Sequence, residues 1–152
     1  MRVIDGIEAL KALSGEEIGV SSWVTIDQER IQAFADATGD HQWIHVDVER
    51  ARQESPWGAP VAHGYLTLSL LPMLTQEIYR VDGISAKINY GLNRVRFPNA
   101  VTAGAEVRAR TTLLDLEQTA PQQHRARYQT QIEIKGTEKP ACIAEHLGVY
   151  VV

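Results

Sequence analysis

Cysteine occurs once in the 152 residues, at Cys142, so no disulfide can form within the chain and nothing asks for an oxidising compartment. There is no excess of positive charge: 15 Lys and Arg stand against 19 Asp and Glu, a net −4. That balance argues against a protein that tracks nucleic-acid phosphates. Long apolar runs are missing as well. The most apolar stretch, Tyr65–Leu74, is broken by Thr67, Ser69 and Pro72, and it is about half the ~20 residues that a membrane span needs. The first residues carry Asp5, Glu8 and Lys11 where a secretory signal would be uninterrupted and apolar, and they lack the Arg/Ser-rich character of a transit peptide. Repeats, low-complexity tracts and dividing linkers are absent too. With 44% hydrophobic residues, enough for one core, the expectation is a single domain over residues 1–152 in the cytoplasm, bound to neither nucleic acid nor membrane.

What is present divides into a helical half and a strand half. The spacing predicts a short helix over Ile4–Leu13 and a brief strand over Val20–Thr25. Thr25 and Gln28 resemble a capping box, after which Ile31, Phe34, Ala35 and Thr38 recur at helical spacing up to Gly39. Gly39 suits the left-handed residue that closes a helix, leaving Asp40 at the first position where the chain turns. A second short helix is predicted over Asp47–Glu54, and Ser55–Pro60 reads as a loop. From Tyr65 to Tyr79 the apolar residues cover most of the helical circumference, which predicts a helix surrounded by protein, with Pro72 kinking or breaking it. After Gly83 the period becomes two. Strands are predicted over Ile84–Tyr90, Val95–Phe97, Glu106–Leu116, Arg125–Ile134 and Ala141–Val151. Successive strands without intervening helices favour an antiparallel sheet, hence an α+β fold.

Asp40 and His45 bring a carboxylate and an imidazole together just beyond a helix. Hydration of a double bond needs one group to take a proton from water and a proton source for the neighbouring carbon, and such a pair can supply both. The same spacing also suits an Asp that caps local amides and a His packed under a loop. A third reading uses His41 and His45, four residues apart, as metal ligands with Asp40 or Asp47 beside them; the residue after His41 is Gln42, where the zincin pattern has Glu. Val61-Ala62-His63-Gly64 precedes the apolar helix. Its free first amides suit an oxygen gaining negative charge, and Gly64 allows either close approach by a ligand or tight packing. Arg94 and Arg96 share a strand face, either a solvated edge or a phosphate contact. Trp43 and Trp57 flank the Asp/His segment as pocket wall or ordinary packing.

Phe34-Ala35-Asp36-Ala37-Thr38-Gly39-Asp40 with His45 and Ala51, then Ala62-His63-Gly64, then Asn93-Arg94-Val95-Arg96-Phe97-Pro98, together resemble the MaoC-like R-specific enoyl-CoA hydratases. Within that family the chain is similar to the short, single-hotdog bacterial members, including NodN-like proteins. The resemblance implies a hotdog fold, with a long central helix wrapped by a curved antiparallel sheet, and two subunits paired edge to edge with active sites near their interface. It implies an enoyl-CoA thioester as substrate, Asp40 and His45 holding and activating the water, and the Gly64 amide donating to the thioester carbonyl. His63, Tyr65, Asn89, Gly91 and Arg94 are the candidate substrate contacts. No cofactor or metal is implied. Two departures stand out: His41, Gln42, Trp43 and Ile44 replace the Asp-x-Asn-Pro-x-His pattern of many relatives, and Pro72 lies near where some place a serine. A hotdog thioesterase and a non-catalytic acyl-binding protein are the rival readings.

Overall fold

The chain opens on a strand where local spacing predicts a helix. In the computed structural model, which describes residues 1–152, β1 (Arg2–Asp5) precedes a shortened α1 (Gly6–Lys11). β1 is recruited by β4 (Tyr79–Asp82), which it pairs in parallel from Arg2↔Tyr79 to Asp5↔Asp82. Pairing with a segment far along the chain thus overrides local helical preference, while Ile4, Ile7 and Leu10 still reach the core.

The predicted strand over Val20–Thr25 is two pieces, β2 (Glu17–Val20) and β3 (Val24–Ile26), both antiparallel to β6 (Ala105–Ala120). Between them the Ser21 amide donates to the Ala109 carbonyl, and the Ser21 hydroxyl accepts from the Ala109 amide. Thr25 lies on β3, so the cap of α2 (Gln28–Thr38) is Asp27, whose carboxylate accepts from the Arg30 amide at 2.8 Å. Gly39 closes α2 at φ 81°, in the left-handed region, as its chemistry predicts. Two short helices follow, α3 (Trp43–Val46) and α4 (Val48–Glu54); the first is unforeseen and carries His45.

The apolar run does not make one long helix. It makes α5 (Gly64–Ser69) and α6 (Leu71–Ile78), with Tyr79 already in β4. Pro72 stands in the first turn of α6, where its missing amide has no intrahelical partner to lose, so the helix restarts rather than kinks. Nor is the pair surrounded: Leu66, Leu70, Leu71, Leu74 and Ile78 are buried, whereas Tyr65 and Met73 face outward.

Behind these helices the strands follow in the order β2-β6-β7-β8-β5; β5 (Ala86–Arg96), β6 and β7 (Gln123–Ile134) are longer than predicted, and β8 (Cys142–Val151) begins one residue later than predicted. This antiparallel sheet with α5 and α6 against it is the hotdog form of the α+β class. Val107, Leu113, Tyr128, Ile132 and Tyr150 pack with the helices into one core. Cys142 is buried there, and burial pushes its thiol up to about 11. No helix is long and apolar enough to cross a membrane.

β5 forms one end of the sheet and bridges the two predicted segments through irregularities at Asn89/Gly91 and Leu92/Arg94. Its alternation puts Lys87 and Asn89 on the face that borders a cavity beside α5 and α6 and Ile88 and Tyr90 on the other face, and all four are exposed in the protomer.

His146 on β8 lies under the same cavity, stacked on Tyr128 at 5.3 Å, with Nε2 3.0 Å from the Thr130 hydroxyl. Burial, assisted by the nearby charge of Lys87, lowers its pKa from 6.5 to about 4. Above the unfolded pKa both states hold the ring neutral; between 6.5 and about 4 only the unfolded chain takes the proton. Stability is therefore lost as pH falls through that window, by about 3 kcal/mol from this residue at its lower end. His146→Gln keeps a hydrogen-bonding side chain without the titration. In urea unfolding its stability relative to wild type should rise by that amount between pH 7.5 and pH 4, and a pH-independent difference would refute the assignment.

Candidate active site

The site is built where the turn after α2 meets α3 and the approach to α5. Beyond the Gly39 cap, the Asp40 carboxylate accepts weakly from the Gln42 amide at 3.3 Å and keeps 53% of its side chain exposed. His45, two residues into α3, is buried, as is His63 immediately before α5.

Backbone groups lock these side chains in place. The His45 Nδ1–H donates to the Val61 carbonyl at 2.6 Å, and the Val61 amide returns a bond to the Ile44 carbonyl at 3.0 Å. Val61 is itself fixed by a bridge to Thr102 and by the Ala62 amide bonding to the Val101 carbonyl. From the other side the Gln28 amide group donates to the His45 carbonyl at 2.7 Å, tying α3 to the start of α2. A carbonyl can only accept, so the Nδ1 proton is fixed and neutral His45 has a bare Nε2. Burial holds the His45 pKa below its ordinary value, against the opposing bond to Val61, and the adjacent His63 adds to the lowering. Near neutral pH the ring is therefore a base.

His63 occupies the place behind this pair. Only 2% exposed, it donates from Nε2 to the Asp40 carbonyl at 3.0 Å and stacks on His45 with ring centroids 3.8 Å apart. Phe34 packs on its other flank at 4.9 Å. His63 thus holds the Asp40 turn and the His45 ring. Its Nδ1 is buried without a partner, a cost of about 1–3 kcal/mol that the site carries.

One polar atom from each of Asp40, His45 and His63 lies within 4.8 Å of the other two. The sequence spacing suggests a different trio. His41 turns away from His45 to pair with Asp36 at 2.8 Å, which raises the pKa of His41. The three clustered residues are a poor fit to a metal ion: the His rings lie only 22° from parallel, so their in-plane lone pairs point side by side rather than at one centre.

The remaining candidates are dispersed. Gly64 begins α5 with an amide that has no intrahelical partner, and a Cβ there would sit 3.0 Å from the Phe97 ring, so tight packing accounts for the glycine. Tyr65 is 71% exposed, edge-on to Phe97. Asn89 and Gly91 line the cavity of about 560 Å³ beside α5 and α6, together with Leu68, Thr75, Lys87 and His146. Arg94 instead joins Arg96 in a separate recess on the sheet. Trp43 lies under the Arg50 guanidinium at 4.2 Å, and Trp57 is exposed in its loop. Trp57, Tyr65 and Leu66 do not border the cavity. Alternation marks Lys87 and Asn89 as one face of a strand, but the sequence does not say that this face is the inner one.

The family model described as a MaoC like domain matches residues 10–134. The 3-hydroxyacyl-thioester dehydratase Z of Mycobacterium tuberculosis is 49% identical over 151 residues, covering 99% of both chains. Nodulation protein N of Rhizobium meliloti is 41% identical over 141 residues, 92% of this chain and 88% of its own. The solved structure of a monoamine oxidase regulatory protein from Archaeoglobus fulgidus superposes with a TM-score of 0.80 at 25% identity, covering 97% of this chain and 95% of that one.

Proposed function

The chain belongs to the MaoC-like dehydratase family, and from that premise we propose that it reversibly hydrates a trans-2-enoyl-CoA to the (R)-3-hydroxyacyl-CoA, with Asp40 and His45 as the acid–base pair. The observation that carries this reading is the pairing itself: a buried His with a fixed Nδ1 proton and a lowered pKa, beside a carboxylate that reaches solvent.

A water between the Asp40 carboxylate and His45 Nε2 gives up one proton to the pair as its oxygen bonds to the β-carbon. The pair returns one proton to the α-carbon, so each turnover ends in the starting protonation state. Negative charge that develops on the thioester oxygen is met by the Gly64 amide at the positive end of α5. Dehydration runs the same steps backwards. Arg94, which makes no ion pair within the chain, is the proposed contact for the phosphates of the CoA carrier.

The test follows two signals from wild-type protein and crotonyl-CoA: loss of the conjugated enoyl thioester and release of free CoA thiol. Hydration consumes the first without producing the second, and chiral analysis of the product should give the R isomer. Stoichiometric thiol release would establish a thioesterase instead, and neither signal would leave an acyl-binding protein.

A further inference from the structure

The cavity beside α5 and α6 is built unlike a receptacle for a plain hydrocarbon chain. Of its lining, Leu68, Leu71, Leu92 and Leu147 are apolar, but Thr75, Lys87 and His146 also face it, and no Asp or Glu does. Lys87 comes from the exposed edge strand, where its side chain could have extended into water. It turns inward instead, donates from Nζ to the Tyr79 hydroxyl at 2.9 Å, and rests 4.8 Å from the centroid of that ring. The Tyr128 and Tyr150 rings are each 5.6 Å away. The Tyr79 hydroxyl passes the contact on to Tyr150, and Tyr150 to Tyr128. An ammonium held by three tyrosine rings, with no carboxylate among the residues lining the same cavity, is a cation without a counter-ion.

The placement matters because α5 and α6 lead from the reacting centre to this group. Gly64 lies at the Asp40–His45 end; at ~1.5 Å of rise per residue, Leu68 is about 6 Å and Thr75 about 16 Å further along. Gly64 is not among the lining and Leu68 is the first cavity residue on α5, so on the hydratase reading an acyl chain runs from Gly64 along α5 into the cavity and brings its far end toward Lys87.

We propose that this cavity selects acyl thioesters whose distal end carries a carboxylate, which pairs with the Lys87 ammonium. The assignment rests on the hydratase reading for the position of the thioester. A methyl terminus would leave the ammonium with only the Tyr79 hydroxyl and the rings to face; a carboxylate supplies its missing partner and accepts a charge-assisted hydrogen bond. Since Lys87 keeps contact with solvent, the gain is that of a partly exposed ion pair.

Two measurements separate this from the reaction itself. The first is calorimetric binding of saturated decanoyl-CoA and its ω-carboxy counterpart, which cannot be turned over. The second is kcat/KM for the corresponding trans-2-decenoyl pair. Wild type should favour the carboxylated member about fivefold in both. Lys87→Met should abolish or invert the ratio, and Lys87→Arg should keep it. Equal binding of the two saturated thioesters by wild type, or an unchanged ratio in Lys87→Met, would overturn the cavity assignment even with hydration intact. A binding preference that survives in a protein hydrating neither enoyl thioester would support the cavity and remove the proposed reaction.

Discussion

Asp40→Asn and His45→Gln should each lower the turnover of a short or medium trans-2-enoyl-CoA by roughly 10²-fold or more, the scale of positioned acid–base catalysis. The first substitution keeps the shape of the carboxylate and removes its basicity. The second keeps a hydrogen-bonding side chain beside the Val61 carbonyl but none that titrates near neutrality. Because the proposed mechanism has both residues act on one water in one transition state, the double variant should be little worse than the poorer single one. Circular dichroism and urea midpoints should separate chemistry from folding. Asp40 is exposed and should fold normally, whereas His45 is buried and will show some loss of stability. The pH profile adds a second readout. With the His45 pKa held below its ordinary value, wild-type kcat/KM should stay level down past pH 6.5 and fall only as the ring is protonated. If both single variants retained full hydratase activity, the site would lie elsewhere.

The other large effect is expected at β5. This strand is the open end of the sheet, eleven residues long, with Ile88 and Tyr90 exposed on the face away from the cavity. Bare edge strands invite another chain, and a second copy related by a two-fold axis closes the edge by antiparallel pairing. Wild type should therefore scatter light as twice the 16.9 kDa protomer. Joint replacement of Ile88 and Tyr90 by Lys places like charges near each other across the axis, because every substitution occurs twice. The variant should behave as a 16.9 kDa species, and if the sites are completed at the interface its kcat/KM should fall at least tenfold. A wild-type monomer with full activity would defeat both claims.

The features legible in the sequence were those set by local chemistry. Gly39 closes its helix because only a left-handed turn satisfies the end of α2, and that turn delivers Asp40 to the surface. The five-residue step to His45 could be read directly, as could the punctuation by Pro72. Partners far away in the chain could not. Nothing near His45 announces that its proton goes to Val61, sixteen residues on, or that His63 rather than His41 joins the pair. The N-terminal strand is hidden for the same reason, its partner being β4. The period of β5 was plain, yet alternation alone leaves open which face turns inward, and here the polar face does.

Cys142 acquires a different meaning beside an enoyl thioester. Conjugated thioesters are electrophiles that thiolates attack at the β-carbon, the same carbon that water is to meet. A hydratase holding such a compound is exposed to alkylation by its own substrate through any free thiolate within reach. The one cysteine of this chain is sealed in the core, and with its thiol pushed up to about 11 it is almost wholly protonated near neutral pH. The folded protein thus presents no thiolate to compete with water, so prolonged turnover should leave Cys142 unmodified.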